Sequence, residues 1–271
     1  MRIVILAQEE PIFLGPFLRE VIRTDPTRIA AVVLAGRRGA GEKRGTLRER
    51  LRSLRVFWLI FEPLDFGVAM ARSVRSKLLG RHDPRSVEGV ARRHGIPVHH
   101  LTPVSVGDVA SLLRSLDPDV VLNQSEIILD EVVLQVPTLG FVNRHASLLP
   151  AHRGRLGSFG AHADESPSYG VTIHMVDEGI DTGDVLVRWE ADEVDPTWPF
   201  PKVLRHLNGR APALFWRAVD QLRRGVPRTA QPAVPAGPTR RFPTLEEARQ
   251  YRERLRERRR AVADRNPRTA R

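Results

Sequence analysis

The chain has 271 residues, 41% of them hydrophobic, and 43 basic against 32 acidic side chains, a formal net charge of +11. That length and composition describe a globular protein with one large domain, or one plus an appendage. It has no cysteine, which excludes a disulfide scaffold, a thiolate nucleophile and a Cys-based zinc site.

The N-terminal stretch "MRIVILAQEEP" carries one arginine and an apolar run that ends in acids, too short for the apolar core of a secretion signal. It reads as a first strand, and a cytoplasmic location is the expectation. "RIVILA" (2–7) is a strand, "GPFLREVIR" a helix and "IAAVVLAG" (29–36) a second strand, followed by a long basic helical insertion over about 43–79. Inside the insertion, six apolar residues at 56–61 are cut short by Glu62, Pro63 and Asp65, so no transmembrane segment is expected. A helix packed on the core is the preferred reading, with an amphipathic interfacial segment as the alternative.

"PRSVEGVARRHG" has Pro84 near its start and Gly95 at its end, the signals of a helix. "IPVHHL" is a short strand, "VGDVASLLRSLDP" a helix and "DVVLNQS" (119–125) another strand. Strand and helix alternate, and the strands read as buried on both faces. The expected fold is therefore α/β, a doubly wound, mostly parallel sheet. From about Tyr169, "GVTIHMV" and "DVLVRWEADEV" are strands joined by an acidic turn with no helix between them, which implies antiparallel pairing. An amphipathic helix over 200–225 closes back on the sheet. A Pro-rich linker at 226–238, read as extended and poorly packed, leads to a capping box of Thr244 and Glu247 and a final basic helix. The expected division is a catalytic domain at 1–225 and a linker with a short helical extension at 226–271. Glutamates interleave with the arginines of that last helix, as in a solvated helix with internal ion pairs. A polyanion-binding tail is the sharper alternative.

Chemistry concentrates in "FVNRHASLLPAHRG" (141–154). Side chains alternate along a strand, so Asn143 and His145 share a face and Arg144 points the other way. At the carboxyl end of a strand, where open sheets bind ligands, an Asn amide can donate to an oxyanion and a His can move a proton. A carboxylate within reach would set the imidazole's charge. "VDEGIDTGDVL" offers Asp177, Glu178, Asp181 and Asp184, and geometry alone does not choose among them. The histidines do not cluster at metal-ligand spacings, so no metal is implied. Ser147 lacks a nucleophile elbow, and His174 is read as a strand histidine near the site.

Taken together, "NRHASLLPAHRG" and the later "GVTIHMVDEGIDTGDVL" resemble the folate-dependent formyltransferases, the family of glycinamide ribonucleotide and methionyl-tRNA formyltransferases. The resemblance covers about 137–187. It implies a Rossmann-like fold and catalytic roles for Asn143, a protonated His145 and Asp181. It also implies 10-formyltetrahydrofolate as formyl donor and a primary amine as acceptor. By position it places the pterin between 123–129 and the 177–181 loop, with Gln124, Glu126, Ile127, Ile128, Asp177 and Gly179 around it. Three features depart from the family pattern: Arg144 stands where an apolar residue is common, His152 where a tyrosine is usual, and acids follow the first strand in place of a phosphate loop. The departures point to a small-molecule amine, a nucleotide-linked amino sugar or a secondary-metabolite amine, as partner. The +11 charge keeps a methionyl-tRNA acceptor open. The rivals are a 10-formyltetrahydrofolate hydrolase and a non-catalytic folate- or polyanion-binding protein. A homodimer is compatible with the sequence.

Overall fold

A computed structural model of the chain describes residues 1–8, 14–36, 47–61, 67, 71, 86–102, 105–231 and 239–265. Of the expected insertion, 43–46 and most of 62–79 lie outside the described residues, as do Pro84, Glu9, Glu10 and 232–238. The strands are β1 (Ile3–Ala7), β2 (Ile29–Ala35), β3 (Val98–Leu101), β4 (Val120–Gln124), β5 (Gly140–His145), β6 (Gly170–Met175) and β7 (Val185–Glu190). They form one sheet in the order β3-β2-β1-β4-β5-β6-β7. The first five are parallel, and β6 and β7 add antiparallel at one edge. The helices are α1 (Leu14–Thr24), α2 (Leu47–Ile60), α3 (Val87–Arg93), α4 (Val106–Leu116), α5 (Glu131–Leu134), α6 (Gly157–Ala163), α7 (Phe200–Arg223) and α8 (Leu245–Arg265).

Every side chain of "IVILA" in β1 is buried because both faces of the strand are covered. Ile3 and Ile5 pack with Leu18 of α1, Val90 of α3 and Phe215 of α7, whereas Val4 and Leu6 pack with Leu113 of α4 and Val133 of α5. Alternation along the strand assigns the two sets to opposite faces. Chain order reverses between β1 and β4, so the ends of β1, β4 and β5 open onto a topological switch point, where this architecture binds ligands.

The edge strand β3 differs from the expectation of burial on both faces. Only half-covered, β3 and β7 keep exposed side chains such as His100 and Arg188. The start of the expected linker is also paired: Thr229 and Val185 exchange backbone hydrogen bonds of 3.0 and 2.7 Å. The capping box is present, with the Thr244 N–H donating to Glu247 at 2.7 Å and the Glu247 N–H to Thr244 Oγ at 3.2 Å.

A third cluster joins α2, α6, α7 and α8 through Val56, Ile60, Phe159, Phe200, Tyr251 and Leu255. The part of the insertion that is described therefore packs on its own chain, with Leu51, Leu54 and Trp58 on the outer side. α8 is not simply solvated. Arg254 donates to the carbonyl of Ala163, Arg258 to those of His162 and Asp164, and Arg259 to that of Thr197. The first two satisfy carbonyls that the end of α6 leaves without helical partners.

Candidate active site

Strand register builds the centre. Asn143 lies beside Asn123 in the parallel pair and opposite His174 in the antiparallel pair, and His145 lies opposite Thr172. The turn between β6 and β7 returns Asp181 over the same edge, with φ +55°, a region sparsely used by residues other than glycine. Asp181 Oδ2 accepts the Gly154 N–H at 2.6 Å and sits 3.4 Å from His145 Nδ1. Its Oδ1 is 3.3 Å from Asn143 Nδ2 and 3.6 Å from His174 Nε2. Of the four loop carboxylates, Asp181 is the one brought to the Asn and the His. Asp177 instead accepts from the Thr182 hydroxyl and the Gly179 N–H within its own loop.

His145 is 7% exposed, and both its ring nitrogens face acceptors. Nε2 lies 2.9 Å from the carbonyl of His152, and a carbonyl only accepts, so Nε2 carries a proton. Burial pushes the imidazole pKa down, His174 and Arg144 add to that, and Asp181 with the His152 carbonyl offsets part of it. The resting ring is therefore neutral at pH 7, which departs from the protonated histidine expected from the sequence. The physical reason is that taking a charged ring out of water costs more than one carboxylate at 3.4 Å returns. In Asp181 the balance is reversed. Burial raises its pKa, but the His174 contact, His145 and the Gly154 N–H outweigh it and bring the carboxyl to about 2. A neutral Nδ1 facing an ionised carboxylate is a place where an arriving proton is held.

Gly154 permits this arrangement. Its φ of +91° and its closeness to the Arg240 backbone leave no room for a side chain. Arg144 points away, as alternation requires. It lies over the Phe17 ring at 4.8 Å, donates to Gln124 at 3.0 Å and bonds to Asn208. Gln124 in turn donates to Asn143 Oδ1 at 2.8 Å, which turns the Asn143 amide nitrogen toward Asp181. Ser147 donates to the Ala151 carbonyl at 3.2 Å within the turn.

Two clefts meet at this centre. One, of about 840 Å³, is lined by Glu126, Ile127, Ile128, Asp177 and Gly179, with Phe57, Phe61 and Phe242 adding aromatic wall. The other, of about 760 Å³, is lined by Gln8, Leu34, His100, Thr102, Arg144 and Asn208. Asn143, His145 and Gly154 belong to both. Gln124, which the sequence grouped with the first cleft, lines the second, because alternation along β4 turns it away from Asn123. The Arg155–Glu126 ion pair, 2.6 Å long, stands where the clefts join. Among the described residues, no group of three or more His, Asp or Glu side chains is placed to hold a metal ion, and no helix is long and apolar enough to cross a membrane.

Sequence reasoning did not find the Gly154 N–H, the Gln124 contact or Gln231, whose amide donates to the carbonyls of Asp181 and Gly183 at 3.0 and 2.7 Å. His174 was expected near the site, and the antiparallel pairing of β5 with β6 puts it beside Asn143.

Residues 85–205 match the model of the formyl transferase family. Over 114 residues the chain is 40% identical to the methionyl-tRNA formyltransferase of Geotalea uraniireducens, covering 42% of this chain and 36% of that protein. It is 41% identical over 106 residues to that of Marinobacter nauticus, covering 39% and 34%. The matched segment thus spans about a third of these relatives' length. Among solved structures, the glycinamide ribonucleotide transformylase 1 of Symbiobacterium toebii superposes with a TM-score of 0.56 at 16% identity, over 85% of this chain and 93% of the other. The phosphoribosylglycinamide formyltransferase of Bacillus halodurans gives 0.56 at 20% identity, over 82% and 95%. At these identities the likeness is one of fold, and the fold is the Rossmann-like formyltransferase sheet. Asn143, His145 and Asp181 lie within the segment that matches the formyl transferase family model.

Proposed function

We propose that the protein transfers a formyl group from 10-formyltetrahydrofolate to a primary amine of a small molecule, with Asn143, His145 and Asp181 as the catalytic set. The observation that carries this reading is the meeting of two clefts on one Asn, His and Asp cluster. A transferase must bring two substrates to one polar centre, whereas a hydrolase needs a single cleft and water. The 840 Å³ cleft is of the size that takes ligands of a few hundred daltons. The 126–128 segment lines it beside apolar walls, which suits a flat ring system, so the donor is assigned there. Bound in that cleft, the donor supplies the formyl carbon and its leaving nitrogen. The acceptor then enters from the 760 Å³ cleft.

The amine's lone pair attacks the formyl carbon, and the carbonyl oxygen gains the negative charge. Asn143 Nδ2 donates to that oxygen. The neutral His145, facing Asp181, takes the amine's proton on Nδ1, and Asp181 holds the imidazolium that results. As the bond from the formyl carbon to the donor nitrogen breaks, the proton passes to that nitrogen. Formamide and tetrahydrofolate leave. The acceptor we favour is a nucleotide-linked amino sugar or a related metabolite amine. Methionyl-tRNA is the second reading, favoured by the identity to methionyl-tRNA formyltransferases across the segment that carries the site.

The test is turnover of 10-formyltetrahydrofolate by the purified chain with a panel of amino sugars, nucleotide-linked amino sugars, aminoglycosides and methionyl-tRNA. Turnover that depends on one acceptor and disappears in Asp181→Asn supports the reading. Formate release at the same rate without any amine contradicts it.

A further inference from the structure

Beyond α7 the chain turns back to the candidate site. The Thr229 and Val185 bridge attaches it to the start of β7. Two residues on, the Gln231 amide nitrogen donates to the carbonyls of Asp181 at 3.0 Å and Gly183 at 2.7 Å. The Gln231 carbonyl oxygen accepts from Arg153 at 3.4 Å. Further along, the Arg240 N–H donates to the Arg153 carbonyl and the Arg155 N–H to the Arg240 carbonyl, both at 2.9 Å, on either side of Gly154. Gly154 supplies the N–H that holds Asp181 Oδ2. Gln231 thus fastens the backbone carrying Asp181, and Arg240 the backbone that binds its carboxylate.

This geometry matters because the turn is weakly determined by itself. Gly179 and Gly183 flank Asp181, glycine-flanked turns have many backbone options, and Asp181 sits at positive φ. A single amide spanning the carbonyls of residues 181 and 183 removes those options together. We propose that Thr229, Gln231 and Arg240 form a clamp that positions the Asp181 carboxylate against His145, with Gln231 as its positioning residue. The clamp's role in turnover rests on the reading that this pair moves the amine's proton; its role in placing Asp181 does not.

The groups facing His145 are Asp181 from the turn, His174 from β6, the His152 carbonyl, and Arg144 from its own strand. Those facing Asp181 are His145, His174, Asn143 and the Gly154 N–H. Among the carboxylates, Asp181 is the one acting on His145, so the imidazole's titration reports on where Asp181 stands.

The experiment uses the full chain and follows the His145 ring proton by NMR through a pH titration, assigned by comparison with His145→Ala. In Gln231→Ala the His145 midpoint falls below wild type, toward that of Asp181→Asn, because the charge that raises it has moved away. With an acceptor in hand, kcat falls by about tenfold while the donor KM stays within about twofold. Gln231→Glu keeps the side-chain length but presents acceptors to both carbonyls, and gives the same two changes. Gln231→Asn, which retains the donors at shorter reach, recovers part of the wild-type midpoint. A folded Gln231→Ala or Gln231→Glu protein with wild-type His145 titration overturns the proposal. If no acceptor supports turnover in the wild type, the functional reading fails while the titration still decides the clamp.

Discussion

The parallel half of the sheet and the chain beyond α7 both contribute to the environment of Asp181, by different physical means. β4 and β5 deliver Gln124, Asn143 and His145 through a ladder of buried apolar strands, in which moving one residue would slip every neighbour. Residues 229–231 and 239–242 deliver Gln231 and the Arg240 bridge through a few polar contacts to loops. The first is over-determined by the core. The second depends on single hydrogen bonds, so its effects are local and separable, and substitutions in the two regions have different signatures.

The largest effects belong to the strand-borne centre and the carboxylate it meets. Asp181→Asn is expected to lower kcat by about a thousandfold and Asn143→Ala by about a hundredfold. Donor binding, measured by calorimetry, changes little in either, because the 840 Å³ cleft keeps its apolar walls. Equal losses in kcat and in donor affinity would move these residues from chemistry to binding.

Gly154→Ala tests the junction of the two regions. A methyl group there must displace the Arg240 backbone and sits at φ +91°, so urea denaturation is expected to show a loss of about 2 kcal/mol. Turnover falls as well, since the same N–H holds Asp181. An alanine variant of wild-type stability would show that the bridge is not a close packing contact.

The pH dependence of the site follows from two depressed groups, and His162, brought to about 4 by burial, adds to the decline below 6.5. His145 is held neutral in the fold, so its contribution to stability is complete above its ordinary value of 6.5 and is lost as pH falls through its lower folded pKa. Asp181, at about 2 against 3.8, contributes above 3.8 and is lost as pH falls toward 2. Thermal unfolding followed from pH 8 downward should show declining stability below 6.5, with a second decline below 3.8 that Asp181→Asn lacks. In turnover, activity is lost on the acid side as His145 becomes charged. A loss on the alkaline side near neutrality would mean that the protonated ring is the working form.

Tyr251→Phe has the smallest expected effect. The Tyr251 hydroxyl accepts the Phe200 N–H at 3.0 Å inside the α2, α6, α7 and α8 cluster, and its removal costs about 1 kcal/mol. With the site untouched, kcat is unchanged. A drop in kcat comparable to that of Gln231→Ala would mean that α8 and the clamp act as one unit.

The sheet was legible because buried β-branched runs and their spacing carry it: "IVILA", "IAAVVLA" and "VVLNQ" lie within the expected strands. Asn143 and His145 followed from strand alternation and their end position, and His174 was read as a strand histidine near the site. The choice of Asp181 among four loop carboxylates did not follow from spacing. Its place depends on a positive φ and on a backbone N–H from a distant loop. Gln231 carried no signal, since one glutamine after an α-helix and a few loop residues looks the same whether it faces water or two carbonyls. The charge state of His145 was also out of reach, because burial decides it and burial is a property of the whole fold. Arginines of α8 that looked like partners for their own glutamates turned instead to carbonyls at the end of α6.

The central claim is that two clefts bring a formyl donor and an amine to one Asn, His and Asp centre. Its most direct test is the fate of a carbon-13 formyl label on 10-formyltetrahydrofolate, followed by NMR with the purified chain and the amine panel. The account predicts that the label appears as the formamide of one acceptor, with formate only at the level seen without enzyme and with Asp181→Asn as the silent control. Label released as formate whether or not an amine is present, or a donor that binds and is never consumed with any amine, would contradict it.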